Sequence, residues 1–227
     1  MVWRNKIKVI FVHIPKTGGT SIEVAINTHF YRYGYGVIFT NKDNEINQIR
    51  YEKLKKVNEM RNLDVTKKFA LQHFKSNEYK IILGDNTYNK YLKFAICRNP
   101  YDRIISEFFW CEIPKIGDKH GQSFDDFLEY VQKCVLERNY YETIYHDHLI
   151  PQHEFIYDEK NNLQIDRLFK LENFDEVKKF LKEELNITNI PHWHKRSSNK
   201  KIELTNMQKE IIYEIYKNDF ILLNYKK

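Results

Sequence analysis

Cysteine is scarce in this chain, with three among 227 residues: Cys97, Cys111 and Cys134. An odd number cannot all pair within the chain, and no two of them have the spacing of metal ligands, which argues against a disulfide scaffold and a cysteine zinc module. Reduced thiols in a cytosolic setting are the expectation. Long apolar runs are also missing. No stretch approaches the roughly 20 apolar residues of a membrane helix. The first strand-like segment begins so close to the N-terminus that no signal peptide is expected ahead of it. The sequence therefore predicts a cytoplasmic chain without a membrane anchor. No internal repeat and no low-complexity linker interrupts it. With 42% hydrophobic residues, a single domain over 1–227 with a sizeable core is expected. The net charge of +6 suits anionic ligands. The charges are interspersed rather than blocked, so no nucleic-acid partner is implied.

Glycine is sparse too, seven in all, and two of the seven are adjacent. They lie in Val9-Ile10-Phe11-Val12-His13-Ile14-Pro15-Lys16-Thr17-Gly18-Gly19-Thr20-Ser21. The segment opens on apolar, β-branched or aromatic residues, as in a strand covered on both faces of a parallel sheet. Pro15 stops the strand. Gly18 and Gly19 allow backbone angles at which successive N–H groups converge on an anion. A helix follows, with Thr20 and Glu23 spaced as a capping box and Ile22, Ala25, Ile26, His29 and Phe30 at helical intervals. Its positive end would face the same turn as the Lys16 ammonium, which makes a phosphate cradle. In a Walker A loop the lysine follows the last glycine. Here Lys16 precedes both, which disfavours an ordinary ATP or GTP site.

A second strand, Leu92 to Cys97, runs into Arg98-Asn99-Pro100-Tyr101-Asp102-Arg103 and a helix through Trp110. Asn99 suits the N-cap, Pro100 the first helical position, and Asp102 the first turn. Arg98 just ahead of that helix, with Ser106 one turn beyond Asp102, suits a second phosphate site or, equally, an arginine paired with a surface carboxylate beside an ordinary helix-surface serine.

Together the two segments resemble the 5'-phosphosulfate loop and the 3'-phosphate motif of sulfotransferases that use 3'-phosphoadenosine 5'-phosphosulfate (PAPS) and release PAP. His13 to Ser21 is similar in wording to the carbohydrate branch, which includes heparan and chondroitin sulfotransferases. Weaker likenesses lie in His148-Leu149-Ile150-Pro151-Gln152, in Leu171 to Phe174, and in Asp219-Phe220 with Tyr225. The lack of an anchor and of lumenal disulfides departs from the animal Golgi members, which points to a microbial or viral relative or to a trimmed chain.

The resemblance implies an α/β, P-loop-like sulfotransferase fold, a hydroxyl-bearing carbohydrate acceptor, and no metal. It implies that Lys16 supplies charge at the bridging oxygen, with the N–H groups of Thr17, Gly18, Gly19 and Thr20 and the hydroxyls of Thr20 and Ser21. Arg98 and Ser106 would anchor the 3'-phosphate. The family draws a general base from the segment between the motifs, where His73 ends the strand-like Phe69 to Phe74 and has a suitable pKa. His29, Glu107, His148 and His153 are fallbacks. His148 and Gln152 would touch the acceptor or support the site. Trp193, Lys195, Arg196 and Ser197 form an aromatic and basic loop that can close over the nucleotide or run as a solvated connection. Two other functions stay open: a nucleotide phosphotransferase, and a non-catalytic binder of PAP or sulfated glycan.

Elsewhere, 44–62 reads as a polar helix and 68–74 as a short strand. Ser123 with Asp126 starts a helix. Residues 152–157 and 163–171 read as extended around a polar turn at 158–162. Asn173 with Glu176 and Thr205 with Gln208 cap the last helices, the final one burying Met207, Ile211, Ile215 and Tyr216. Strands alternating with helices predict a parallel sheet flanked by helices, with ligand at the carboxyl ends of its strands.

Overall fold

The computed structural model describes residues 3–4, 8–26, 45–61, 73–111, 123–140, 146–191 and 201–227. In chain order these form β1 (Trp3–Arg4), β2 (Val9–Val12), α1 (Gly19–Ala25), α2 (Glu45–Met60), α3 (Ser76–Leu83), α4 (Asp85–Asn89), β3 (Leu92–Cys97) and α5 (Pro100–Cys111). They continue with α6 (Phe124–Leu136), α7 (His153–Ile156), β4 (Arg167–Lys170), α8 (Phe174–Leu185), α9 (Asn206–Ile215) and α10 (Lys217–Leu222). The strands stand in the order β1-β2-β3-β4. β2, β3 and β4 are parallel, with Phe11 opposite Phe94 and Cys97 opposite Lys170, and β1 adds an antiparallel edge.

The strand reading of Val9 to Val12 holds for the expected reason: all four residues are fully buried. Because side chains alternate across a sheet, Ile10, Val12, Ala95 and Cys97 pack on one face against Phe127, Val131, Ile212 and Tyr216. Val9, Phe11, Phe94 and Ile96 pack on the other against Ile22, Ile26, Val177, Phe180 and Leu181. Each fully buried side chain of this size contributes roughly 1.5–3 kcal/mol. Cys97 and Cys134 are buried free thiols, and burial pushes the Cys97 thiol up to about 11. Both are packing residues.

Helix starts follow their chemistry in part. Ser123 with Asp126 and Thr205 with Gln208 form true capping boxes. Asn99 Oδ1 accepts from the N–H of Tyr101 at the head of α5. Four expectations fail. Gly18 precedes α1 without a side-chain cap, and Glu23, expected in a box with Thr20, turns away to His13 instead. Asn173 heads α8 without a side-chain cap bond to the backbone. Residues 153–156 are helical rather than extended, because the buried Asp219 carboxylate caps that turn by accepting from the N–H groups of Gln152 and His153. Met207 is 75% exposed, and Ile212 takes the buried place on α9. The turn at 158–162 forms, and an isolated antiparallel bridge joins Tyr157 to Leu163 across it. Of the strand expected at 68–74, residues 68–72 lie outside the described residues, and 73–74 are not in a strand.

Candidate active site

Because β2 and β3 pair in parallel, the two glycine- and arginine-bearing turns leave the sheet side by side at its carboxyl end. They touch: the Arg98 guanidinium donates to the carbonyl of Lys16 at 3.2 Å. The buried Arg103, one turn into α5, donates to the carbonyls of Pro15, His148 and Ile150. It ties the cradle turn to the 148–150 segment.

Within the turn, each residue has its own constraint. Lys16 sits at φ 67° and Gly18 at φ 79°, in the left-handed region. For a lysine that conformation costs on the order of 1–3 kcal/mol, and such strain gathers at functional sites. Gly19 is glycine for another reason than the one expected: a Cβ there would come within 2.1 Å of the His13 ring. The Thr17 hydroxyl is spent on the carbonyl of Ile14, so toward a ligand Thr17 has its N–H to offer. Thr20 and Ser21 stand half-buried at the head of α1.

The second turn is equally well braced. The Gln152 side chain accepts from the N–H of Arg98 and donates to its carbonyl, at 2.9 and 2.8 Å. Gln152 is fully buried, and of its two expected roles, touching the acceptor or supporting the site, these bonds give it support of Arg98. Asp219 in turn holds Gln152 through its N–H. Beside Arg98 opens a cavity of about 410 Å³ lined by Asp102, Ile105 and Ser106 with Lys201, Ile202 and Glu203. Arg98 and Ser106 are thus brought together at one cavity, and Lys201 joins them there. The basic residues expected to close over the nucleotide are Lys195 and Arg196. Those two, with Trp193, Ser197 and His29, lie outside the described residues.

Between the turns runs a column of rings that periodicity does not reveal. His13 meets His73 edge-on at 4.8 Å, His73 meets His148 at 4.9 Å, and His148 packs on Trp110 at 4.5 Å. Each imidazole sets Nδ1 against its own carboxylate: His13 on Glu23 at 2.6 Å, His73 on Asp147 at 2.7 Å, His148 on Glu107 at 3.0 Å. His153, another expected alternative, is engaged elsewhere with Asp219. His73 also has a positive φ, 56°, and its carbonyl accepts from Arg61. Burial pushes the His73 pKa down to about 4, below the near-neutral value expected of it, despite the Asp147 charge and hydrogen bond, with His13 and His148 lowering it further. Burial pushes the Asp147 carboxyl up, but His73, His148 and Arg61 outweigh it and hold that carboxyl below its ordinary value. Near neutrality the pair is therefore a neutral imidazole and a carboxylate. An ionised carboxylate only accepts, so Nδ1 carries the proton and Nε2 the basic lone pair.

A family model described as the sulfotransferase family matches residues 1–226. The chain belongs to the sulfotransferase family. Comparison with curated proteins and with solved structures gave no significant match. The sulfotransferase is therefore a transferase, and its chemistry is sulfuryl transfer. Its α/β architecture, three parallel strands flanked by helices, is the one the alternating strands and helices led to. No helix among the described residues is long and apolar enough to cross a membrane. Also among the described residues, His73, Asp147 and His148 hold potential metal-ligand atoms within 4.8 Å of one another. A divalent ion there would compete with the bond from His73 to Asp147.

Proposed function

We propose that this sulfotransferase moves a sulfuryl group from PAPS to a hydroxyl of a carbohydrate acceptor, as one catalytic domain. The observation that carries the reading is the junction of the two turns, Arg98 on the carbonyl of Lys16, which sets two phosphate-type sites side by side. The glycine turn fits an anion: Lys16 offers an ammonium, Thr20 and Ser21 offer hydroxyls, and the turn is held open by Gly18. The cavity beside Arg98, Ser106 and Lys201 fits a second phosphate.

Bound PAPS would supply the activated sulfuryl group. The protein's part is positioning and charge. Lys16 neutralises negative charge that grows on the departing phosphate oxygen. Arg98, Ser106 and Lys201 hold the 3'-phosphate. His73 accepts the acceptor's proton at Nε2, and burial keeps water from competing.

Calorimetric titration with PAP and with ATP is the first test. Binding of PAP in clear preference to ATP is expected, and equal affinity would favour a phosphotransferase. A screen for transfer of radiolabelled sulfate from PAPS over glycan acceptors is the second. PAP binding without transfer to any hydroxyl would make the protein a binder and overturn the reading.

A further inference from the structure

We propose that Asp147 is the positioning residue for His73, holding the imidazole in the single tautomer and orientation that leave Nε2 ready to accept the acceptor's proton. This rests on the reading of His73 as the base, which it deepens.

The contact is built from distant parts of the chain. Asp147 lies in a short 3-10 turn, residues 146–149, and reaches His73 Nδ1 at 2.7 Å across 74 positions of sequence. Nothing local forces that meeting. His73 is held in a backbone conformation that histidine adopts only when its surroundings over-determine it, φ 56°. The surroundings do so at two points. Asp147 fixes the ring, and Arg61 fixes the main chain by donating to the His73 carbonyl at 3.2 Å. Arg61 is itself held by both oxygens of Glu78, and both of these residues are nearly fully buried. A buried ion pair of this kind gives little net stability over an apolar pair of like volume; fixing geometry is the better account of it.

The same geometry assigns a role during transfer. As the acceptor oxygen forms its bond to sulfur and the bond from sulfur to the phosphate oxygen breaks, the hydroxyl proton passes to His73 Nε2. PAP departs with the electron pair, the sulfate ester remains, and the imidazolium afterwards gives its proton to water. The charges facing the ring are the Asp147 carboxylate, His13 and His148 on its two sides, and Arg61 at its carbonyl. Asp147 is the one anion in hydrogen-bond contact with it among the described residues. A carboxylate on Nδ1 stabilises the imidazolium as it forms, whereas an amide there can donate and reverse the tautomer.

Two measurements test this. Nitrogen-15 NMR of the histidine rings at neutral pH should find His73 protonated at Nδ1 and bare at Nε2 in the wild type, and reversed in Asp147→Asn. This readout needs no acceptor. In sulfate transfer, Asp147→Asn should lose turnover by ~100-fold or more, with KM for acceptor and affinity for PAP within about threefold of wild type, and Asp147→Glu should recover part of the loss. A wild-type His73 protonated at Nε2 overturns the inference, and so does Asp147→Asn with wild-type turnover. If His73→Ala also keeps its turnover, the base reading itself has failed. If His73→Ala is impaired and Asp147→Asn is not, only the role of Asp147 has failed. Should Asp147→Asn not fold, the wild-type tautomer and the Asp147→Glu kinetics decide.

Discussion

The ammonium of Lys16 lies over the indole of Trp110, 4.8 Å from the ring centroid. Trp110 stands on α5 one turn beyond Ser106, and it also packs on the His148 ring. One indole therefore joins the cradle lysine to the histidine column. A cation over an aromatic face at a partly exposed site is worth roughly 0.5–1 kcal/mol. Trp110→Ala should lower turnover several-fold and change PAP affinity less, while Trp110→Phe keeps most of the activity. Steady-state kinetics beside a PAP titration check this, and equal turnover in all three proteins would remove Trp110 from the site.

In the proposed reaction Lys16→Ala should be far more damaging, because there the charge it removes is needed most as the leaving group departs. A loss of turnover of ~100-fold or more is expected. Transfer assays at saturating PAPS provide the measurement; a Lys16→Ala protein that binds PAP and reacts as well as wild type would refute the cradle.

Gly19 and His13 form a close-packed pair. Gly19→Ala would bring its Cβ within 2.1 Å of the His13 ring, and the ring is held by Glu23. Overpacking of this kind costs roughly 1–3 kcal/mol. The double variant with His13→Ala should be less destabilised than the sum of the two single variants, a coupling that urea unfolding of all four proteins measures.

Burial of neutral His73 links stability to pH. Its pKa is about 4 in the folded protein, against about 6.5 in an unfolded chain. Between those values the unfolded state binds more protons, so this contribution is complete above pH ~6.5 and is lost as pH falls toward 4. At pH 5 the loss is about 2 kcal/mol relative to pH 7. His73→Gln should remove it, leaving a flatter change between the two pH values in denaturant unfolding.

Asp219 is fully buried and accepts from the N–H groups of Gln152 and His153 and from His153 Nδ1. Removing it in Asp219→Ala orphans buried donors at about 1–3 kcal/mol for each group left unpaired. Because Gln152 in turn braces Arg98, PAP affinity should fall together with the melting temperature. Asp219→Ala with unchanged PAP affinity would break that chain of support.

Much of the frame was legible in the sequence. Val9 to Val12 and Leu92 to Cys97 read as strands because burial on both faces demands unbroken apolar runs, and Ser123 and Thr205 marked helix starts through their own hydroxyls. Such features depend on neighbours within a turn or two. The failures have one physical cause. Glu23 was assigned to Thr20 by spacing, but a buried His13 offers it a stronger partner. Residues 152–157 read as extended until Asp219, some 66 positions away, capped their turn.

By itself the sequence determined the two strand–turn–helix segments, one with Lys16 ahead of Gly18 and Gly19 and one with Arg98 ahead of Ser106, since a strand, a turn and a helix start are all written locally. The family resemblance, not the local pattern, singled out His73 as a candidate base between the two motifs. Only the tertiary structure decided that Arg98 would rest on Lys16, that Gln152 would brace it, and that Asp147 would stand on Nδ1 of His73. These pairings join residues far apart in sequence. They exist because parallel strands bring their carboxyl ends together and because buried polar groups must find partners wherever the fold places them.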